Sequence, residues 1–271
     1  MITTVILTYN EAKEIEACIA SLSWCDDVIV LDSFSTDETV AIALSKGARV
    51  HKKKFEGFGH QRNFALEQIP TKYEWVLFLD ADERSTNSFH KALVNAISSS
   101  TPEISGFYCC WKMILGDTWL KYSDNFPKWQ FRVAKKGSAR FINFGHGQKE
   151  GEVKGKLGYI KEPYLHFGFS KGWSHWLEKH NHYSSQEAEE RLKSKSSFKL
   201  LFSKHPSQRN IALKYWVTKI PGWPLLRFLY TYFFKLGFLE GSAGLVYAVN
   251  IAYYEFLIKI KMKERQPNLK D

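Results

Sequence analysis

The sequence predicts an α/β fold, a mostly parallel sheet flanked by helices, followed by a helical region of different character. Three observations predict it. Over the first hundred residues short apolar runs alternate with amphipathic stretches, the rhythm of parallel strands joined by covering helices. Trp75-Val76-Leu77-Phe78-Leu79 is continuously apolar, as a strand buried on both faces must be. From about Trp173 the pattern turns helical, and residues 211–262 mix Trp, Tyr, Phe and Leu with Lys and Arg. The chain is 44% hydrophobic and 15% aromatic, enough to build a substantial core and to exclude global disorder.

The elements follow in order. Residues 4–8 read as a first strand, and Asn10 as the cap of a helix reaching about Leu22. Residues 28–31 are a second strand ending at Asp32. Asp37 caps a helix that runs to Lys46 and is ended by Gly47. Residues 49–51 begin a third strand, and residues 61–68 form a helix stopped before Pro70. After Gly106 the strands lengthen, over residues 107–115 and 128–133, with an aromatic loop between them. The domain organisation expected is residues 1–170 as the α/β domain and 171–271 as a helical, basic and aromatic region.

The formal charge of +10 is unevenly placed. Residues 193–271 hold 14 Lys and Arg against 4 Asp and Glu, so the rest of the chain is balanced. Basic, aromatic helices suit a membrane interface, where rings sit at headgroup level and cations meet anionic lipid. The longest uncharged run there, residues 241–254, is 14 residues, shorter than the roughly 20 of a spanning helix. The expectation is therefore an in-plane or partly inserted helix pair, broken at Pro221-Gly222-Trp223-Pro224. Core packing against the α/β domain is the plainer alternative. No nucleic-acid-binding motif accompanies the charge, so nucleic acid is not an expected partner. Cys18, Cys25, Cys109 and Cys110 form no C-x-x-C pair and read as reduced thiols of a cytoplasmic protein. The first residues, Met1-Ile2-Thr3-Thr4-Val5-Ile6-Leu7, have no basic n-region and no long apolar run, so no signal peptide is expected.

Three polar clusters follow three successive strands: Thr8-Tyr9-Asn10-Glu11, Asp32-Ser33-Phe34-Ser35-Thr36-Asp37 and Asp80-Ala81-Asp82-Glu83. A parallel sheet brings them to one edge, outside the carboxyl ends of its strands, where such sheets bind ligands. Asp80 and Asp82 are the sharpest signal. Carboxylates at i and i+2 beyond a buried strand can face one cavity. A hard divalent cation, Mg2+ or Mn2+, takes oxygen ligands and bridges carboxylate to diphosphate, neutralising a departing nucleoside diphosphate. Glu11 has a plainer reading as a first-turn acid of its helix, and Arg62 as a surface helix residue. A D-x-D-x-[TV] phosphatase motif is not met, because Arg84 stands at its last position.

These clusters, with Gln61-Arg62-Asn63-Phe64-Ala65-Leu66, resemble glycosyltransferase family 2 in order and spacing over about the first 90 residues. The resemblance implies a GT-A fold and inverting transfer from a nucleotide diphosphate sugar. It implies that Thr8, Tyr9, Glu11 and Asp32 lie at the nucleoside, and Arg62 near the base or diphosphate. It implies Asp82 as the direct metal ligand, with Asp80 toward ribose and metal. The second half is similar to bacterial lipopolysaccharide-core glucosyltransferases through Phe126-Pro127-Lys128-Trp129-Gln130-Phe131-Arg132 and Tyr164-Leu165-His166-Phe167. That narrower likeness implies a UDP-hexose donor, UDP-glucose first, and a lipid-linked or lipopolysaccharide-core acceptor. The enzyme would then be peripheral on the inner face of the cytoplasmic membrane, against an anionic surface.

Inverting transfer needs a base for the acceptor hydroxyl. Relatives have a compact Val-His-Glu segment where this chain reads Gly145-His146-Gly147-Gln148-Lys149-Glu150. The candidates are Glu150, Asp124, Glu152 and His146. Glu150 leads by its place nearest that Glu, and Asp124 follows from a loop able to close over the donor. His166 reads as a supporting donor or a satisfied core histidine. A non-catalytic scaffold with the same fold is the reading from another class.

Overall fold

The computed structural model describes residues 1–144, 147–193, 197–204, 206–217 and 219–265. The elements are β1 (Thr3–Thr8), α1 (Ile15–Ala20), β2 (Val28–Asp32), α2 (Thr39–Ser45), β3 (Arg49–Lys52), α3 (Phe58–Gln68), β4 (Trp75–Asp80), β5 (Glu83–Arg84) and α4 (Asn87–Ser98). There follow β6 (Ile104–Leu115), β7 (Thr118–Trp119), β8 (Trp129–Lys135), β9 (Ala139–Phe144), β10 (Gly147–Val153) and β11 (Lys156–His166). The chain then becomes helical: α5 (Trp173–Lys193), α6 (Pro206–Val217), α7 (Trp223–Leu229) and α8 (Gly241–Glu264). The chain divides into two compact units. The first is Met1–Lys121 with Asn125–Lys171, and the second is Gly172–Asp271 with Tyr122–Asp124.

In the first unit the main sheet runs β3-β2-β1-β4-β8-β6-β11-β5, with β7 paired to β6. β1 to β4 are mutually parallel. β8 is antiparallel to β4 and β6, and β5 to β11. The sheet is therefore mixed: parallel in its first half, as expected, and antiparallel at β8 and β5. Both faces of the first half are covered. From Trp75 to Leu79 every residue of β4 is buried, and each large apolar side chain there contributes roughly 1.5–3 kcal/mol. One face carries Ile6, Val30, Leu77 and Leu79 with α1 and α4, the other Val5, Ile29, Val76 and Phe78 with α3.

Two local expectations are corrected. Asn10 does not cap a helix. Its φ is 53°, and its side-chain oxygen accepts from Thr36 N at 2.9 Å. Asparagine tolerates this left-handed conformation, so the chain crosses to the next loop before α1 begins at Ile15. The helix expected over 61–68 starts earlier, at Phe58. There Gly59 lies against β9 so closely that a Cβ would meet the Asn143 backbone nitrogen at 2.8 Å.

In the second unit α8 packs against α5 and α7. A break falls at the Pro-Gly-Trp-Pro segment: Gly222 adopts φ 67° and precedes α7. Residues Gly237–Glu264 form one helical stretch of 28 residues, long and apolar enough by length and composition to cross a membrane.

Candidate active site

β4 ends at Asp80, and the chain turns through Ala81 and Asp82 into β5. The turn is anchored by Glu83, whose side chain is 1% exposed. Its Oε2 accepts from Asp80 N at 2.8 Å. Its Oε1 accepts from Arg132 Nη2 at 2.6 Å and from the Tyr164 hydroxyl at 3.1 Å. Arg132 Nη2 also donates to Asp80 Oδ2 at 2.9 Å, and Arg62 Nη2 to Asp80 Oδ1 at 3.1 Å. Two guanidiniums thus face two carboxylates in one cluster, as buried charge requires. Removal from water would raise the Asp80 carboxyl, but Arg132 and Arg62 outweigh it and hold it well below the usual range. Burial pushes Glu83 up, against the pull of Arg132.

Arg62 sits in the second turn of α3 with no exposed surface. Its guanidinium lies 5.7–5.8 Å from the rings of Phe58, Phe78 and Phe141. The reading of Arg62 as a surface helix residue is corrected: it is enclosed by rings and holds Asp80.

Asp82 has a partner from the far side of the sequence. β5 pairs with the end of β11, with His166 opposite Glu83, and Phe167 N donates to Asp82 O at 2.8 Å. This pairing puts His166 Nε2 3.4 Å from Asp82 Oδ2, with side chains 22% and 24% exposed. Burial opposes charge on His166, but Asp82, Glu83 and Asp80 together raise its pKa. Among the described residues no group of three or more His, Cys, Asp or Glu gathers as a closed cage. Asp82 with His166 fits the open kind of site, in which a cation takes one or two protein donors and fills its other positions with phosphate oxygens and water. Asp80 has both oxygens engaged by arginine. His166 had no local signal beyond its own motif; only the β5–β11 pairing identifies it.

The loops after β1 and β2 are tied to each other. Asp32 is fully buried; its Oδ1 accepts from Thr8 Oγ1 at 3.1 Å and its Oδ2 from Ser35 N at 2.9 Å. Asn10 N donates to Ser35 Oγ at 2.9 Å, and Glu11 N to Thr39 Oγ1 at 2.7 Å. Thr8 and Asp32 therefore brace the loops from within. Tyr9 and Phe34 stand outside at 59% and 54% exposure, and Phe34 has φ 64°. Glu11 Oε1 pairs with Lys171 Nζ at 2.6 Å, and Lys171 also reaches Asn10 O at 3.1 Å. Nothing in the sequence pointed to Lys171.

The base candidates have different surroundings. Glu150 lies on β10, opposite Phe141 of β9, half-buried, and is the side-chain partner of Tyr108. Glu152 is exposed. Asp124 belongs to the second unit, is 3% exposed and accepts from the Tyr247 hydroxyl at 2.6 Å. His146 lies outside the described residues.

The family model for glycosyl transferase family 2 matches residues 3–147, more than half of the chain. An uncharacterized glycosyltransferase of Rickettsia bellii (strain RML369-C) is 28% identical over 97% of this chain and 86% of its own length. The lipopolysaccharide core biosynthesis glycosyltransferase LpsC of Rhizobium meliloti (strain 1021) is 26% identical over 98% of this chain and 95% of its own. Among solved structures, the mannosyltransferase PcManGT of Pyrobaculum calidifontis, in complex with GDP-Man and Mn2+, superposes with a TM-score of 0.50 at 16% identity. It covers 98% of this chain and 88% of that one. The chain belongs to glycosyl transferase family 2 and is a glycosyltransferase of GT-A-like fold.

Proposed function

We propose that the enzyme moves a hexose from a nucleotide diphosphate sugar, UDP-glucose first, to a saccharide carried on a lipid, as in lipopolysaccharide-core assembly. One observation carries the donor half of this reading: His166 and Asp82 meet beyond the carboxyl end of β4, beside the tied loops after β1 and β2. Asp82 and His166 would hold a Mg2+ or Mn2+ ion, which when bound neutralises charge on the departing diphosphate. Asp80, held by Arg62 and Arg132, lies toward the ribose. Tyr9 supplies a ring for the base; Glu11, Asp32 and Thr8 shape the nucleoside loops around it. The likeness to LpsC over nearly the whole chain supports the acceptor class.

Transfer is a single in-line displacement with inversion. The acceptor oxygen bonds to the anomeric carbon as the bond to the diphosphate breaks, and the hydroxyl proton passes to a carboxylate. Glu150 is the proposed base. It is half-buried on β10, whereas Asp124 is enclosed and bonded to Tyr247. The enzyme would work at the inner face of the cytoplasmic membrane.

Calorimetric titration of UDP-glucose and of GDP-mannose, with and without Mn2+, tests the donor half on the wild type and Asp82→Ala. Metal-dependent binding of UDP-glucose that the variant loses is the expected result. Binding of GDP-mannose alone would replace the donor. Metal-independent binding, unchanged in the variant, would overturn the assignment of Asp82.

A further inference from the structure

The stretch Gly237–Glu264 passes the length and composition test for a spanning helix, yet only 22% of its most apolar part is buried. Its packing argues against crossing. Glu255, in the body of α8, binds Arg191 of α5 at 2.9 Å, and Arg191 binds Glu187 at 2.9 Å. Trp223 Nε1 of α7 donates to the same Glu255 at 3.0 Å. Further along, Lys261 reaches Asn181 Oδ1 at 2.6 Å. A spanning helix over this stretch would be centred near residue 250. Glu255 would then lie about 7 Å from the midplane of a hydrocarbon layer about 30 Å thick. Its partners on α5 would follow it. Near the same level that helix also carries exposed Glu189 and Glu190, and each charge at the bilayer centre costs at least about 2.5–3.5 kcal/mol.

The other face of α8 has no such ties. Gly244, Tyr247, Ala248 and Ile258 are buried on one side. Leu245, Val249, Tyr253 and Phe256 are 40–50% exposed, and at 100° per residue they fall within about 80° of one another. Just before α8, in the turn Tyr230–Phe234, Phe233 and Phe234 are 50% and 81% exposed. A soluble protein leaves few such continuous stripes open to water.

We infer that α8 lies in the plane of the membrane, its Leu245–Val249–Tyr253–Phe256 stripe on the acyl chains, with Phe233 and Phe234 inserted at its N-terminal end. The occupant is an anionic lipid surface. The whole +10 of the chain lies in residues 193–271, which draws this unit to negative headgroups and sets two copies of it against each other. The inference rests on the membrane-surface part of the function proposed above and not on the donor site. A protein that transfers sugar but fails on vesicles loses this inference and the membrane-surface part, and keeps the donor site.

The test uses the full chain in a Cys25→Ser background. An environment-sensitive fluorophore is placed in turn on Leu245→Cys, Val249→Cys and Phe256→Cys, and vesicles of phosphatidylglycerol and phosphatidylcholine are added. Depth quenching should give the same shallow depth at all three positions. Unlabelled Val249→Asp should bind these vesicles about tenfold more weakly, with unchanged circular dichroism. Depths graded along the helix, by up to about 16 Å between residues 245 and 256, would overturn the in-plane orientation. Unchanged fluorescence on vesicle addition would overturn the lipid occupant, and sedimentation as a dimer would then give the stripe to a second copy.

Discussion

His166 Nε2 stands 3.4 Å from Asp82 Oδ2 because β11 returns antiparallel to the two-residue strand β5. This contact couples the end of the fold's last strand to the turn after its central one. Replacing His166 with Ala should weaken Mn2+-dependent donor binding at least about tenfold while leaving Asp82 in place. Calorimetry with and without Mn2+ reads it. Equal metal dependence in the variant and the wild type would remove His166 from the ion.

The cluster behind these residues makes a second prediction, about stability. Arg132 is 2% exposed and bridges Asp80 and Glu83. Removing one partner of a buried ion pair leaves charge uncompensated, at a cost of about 3–5 kcal/mol. Arg132→Met should lose that much in urea denaturation, and Arg132→Met with Glu83→Gln should recover part of it. Additive losses would mean that the two do not act as a pair. Arg62→Lys should also lower thermal stability with no nucleotide present, because the guanidinium is enclosed and holds Asp80.

How much of this was legible follows from how local each cause is. Asp80 and Asp82 could be read because a continuous apolar strand precedes them, and a buried parallel strand must deliver its next polar residues to the sheet edge. Asp32 could be placed at that edge for the same reason. That its carboxylate is spent on Thr8 and Ser35 could not be read, since those bonds cross between loops. The motif places Arg62 near the base or diphosphate, but its burial could not be read, since that depends on Phe141, brought over by β9. β10 is mostly polar, and β9 is fixed by its antiparallel pairing with β10, which no local pattern reports. His166 and Lys171 take their meaning from pairings many residues away, which no periodicity reports.

Asp27 gives a prediction far from the site. Its Oδ2 accepts from Thr3 Oγ1 at 2.6 Å and Lys72 N at 2.8 Å, and its Oδ1 from Arg49 at 2.7 Å. Burial would raise its pKa, but these donors outweigh it and lower the folded value. A carboxyl depressed in the folded state contributes stability above its unfolded pKa of about 3.9, and that contribution is lost as the pH falls through the folded value. Asp27→Asn should therefore be less stable than the wild type by about 1–3 kcal/mol at neutral pH. The gap should be constant from about pH 6 to 8 and close below about pH 4. Denaturant melts across pH measure it, and a gap that widens in acid would contradict the assignment.

Glu240 precedes α8, where a side chain can cap the helix, but it makes no capping bond. It is spent instead on Tyr122–Asp124, the segment that leaves β7 before the chain returns to β8. Glu240 Oε1 accepts from Tyr122 N at 2.6 Å and from Ser123 N at 3.2 Å, and Lys235 donates to Ser123 O. Bonds from backbone amides to a buried carboxylate are worth about 1.5–3 kcal/mol each. Losing them should open the segment without unfolding the unit, since the packing of α8 on α5 and α7 is untouched. In Glu240→Ala, exchange of the Tyr122 and Ser123 amides should therefore speed up by tenfold or more, about 1.4 kcal/mol of local opening. Amides of α5 should stay as protected as before. Glu255→Ala provides the converse: it severs α8 from Arg191 and should expose α5 while leaving Tyr122 and Ser123 slow. If both variants release both regions together, the unit opens only as a whole, and Glu240 is one brace among many rather than the clamp on this segment.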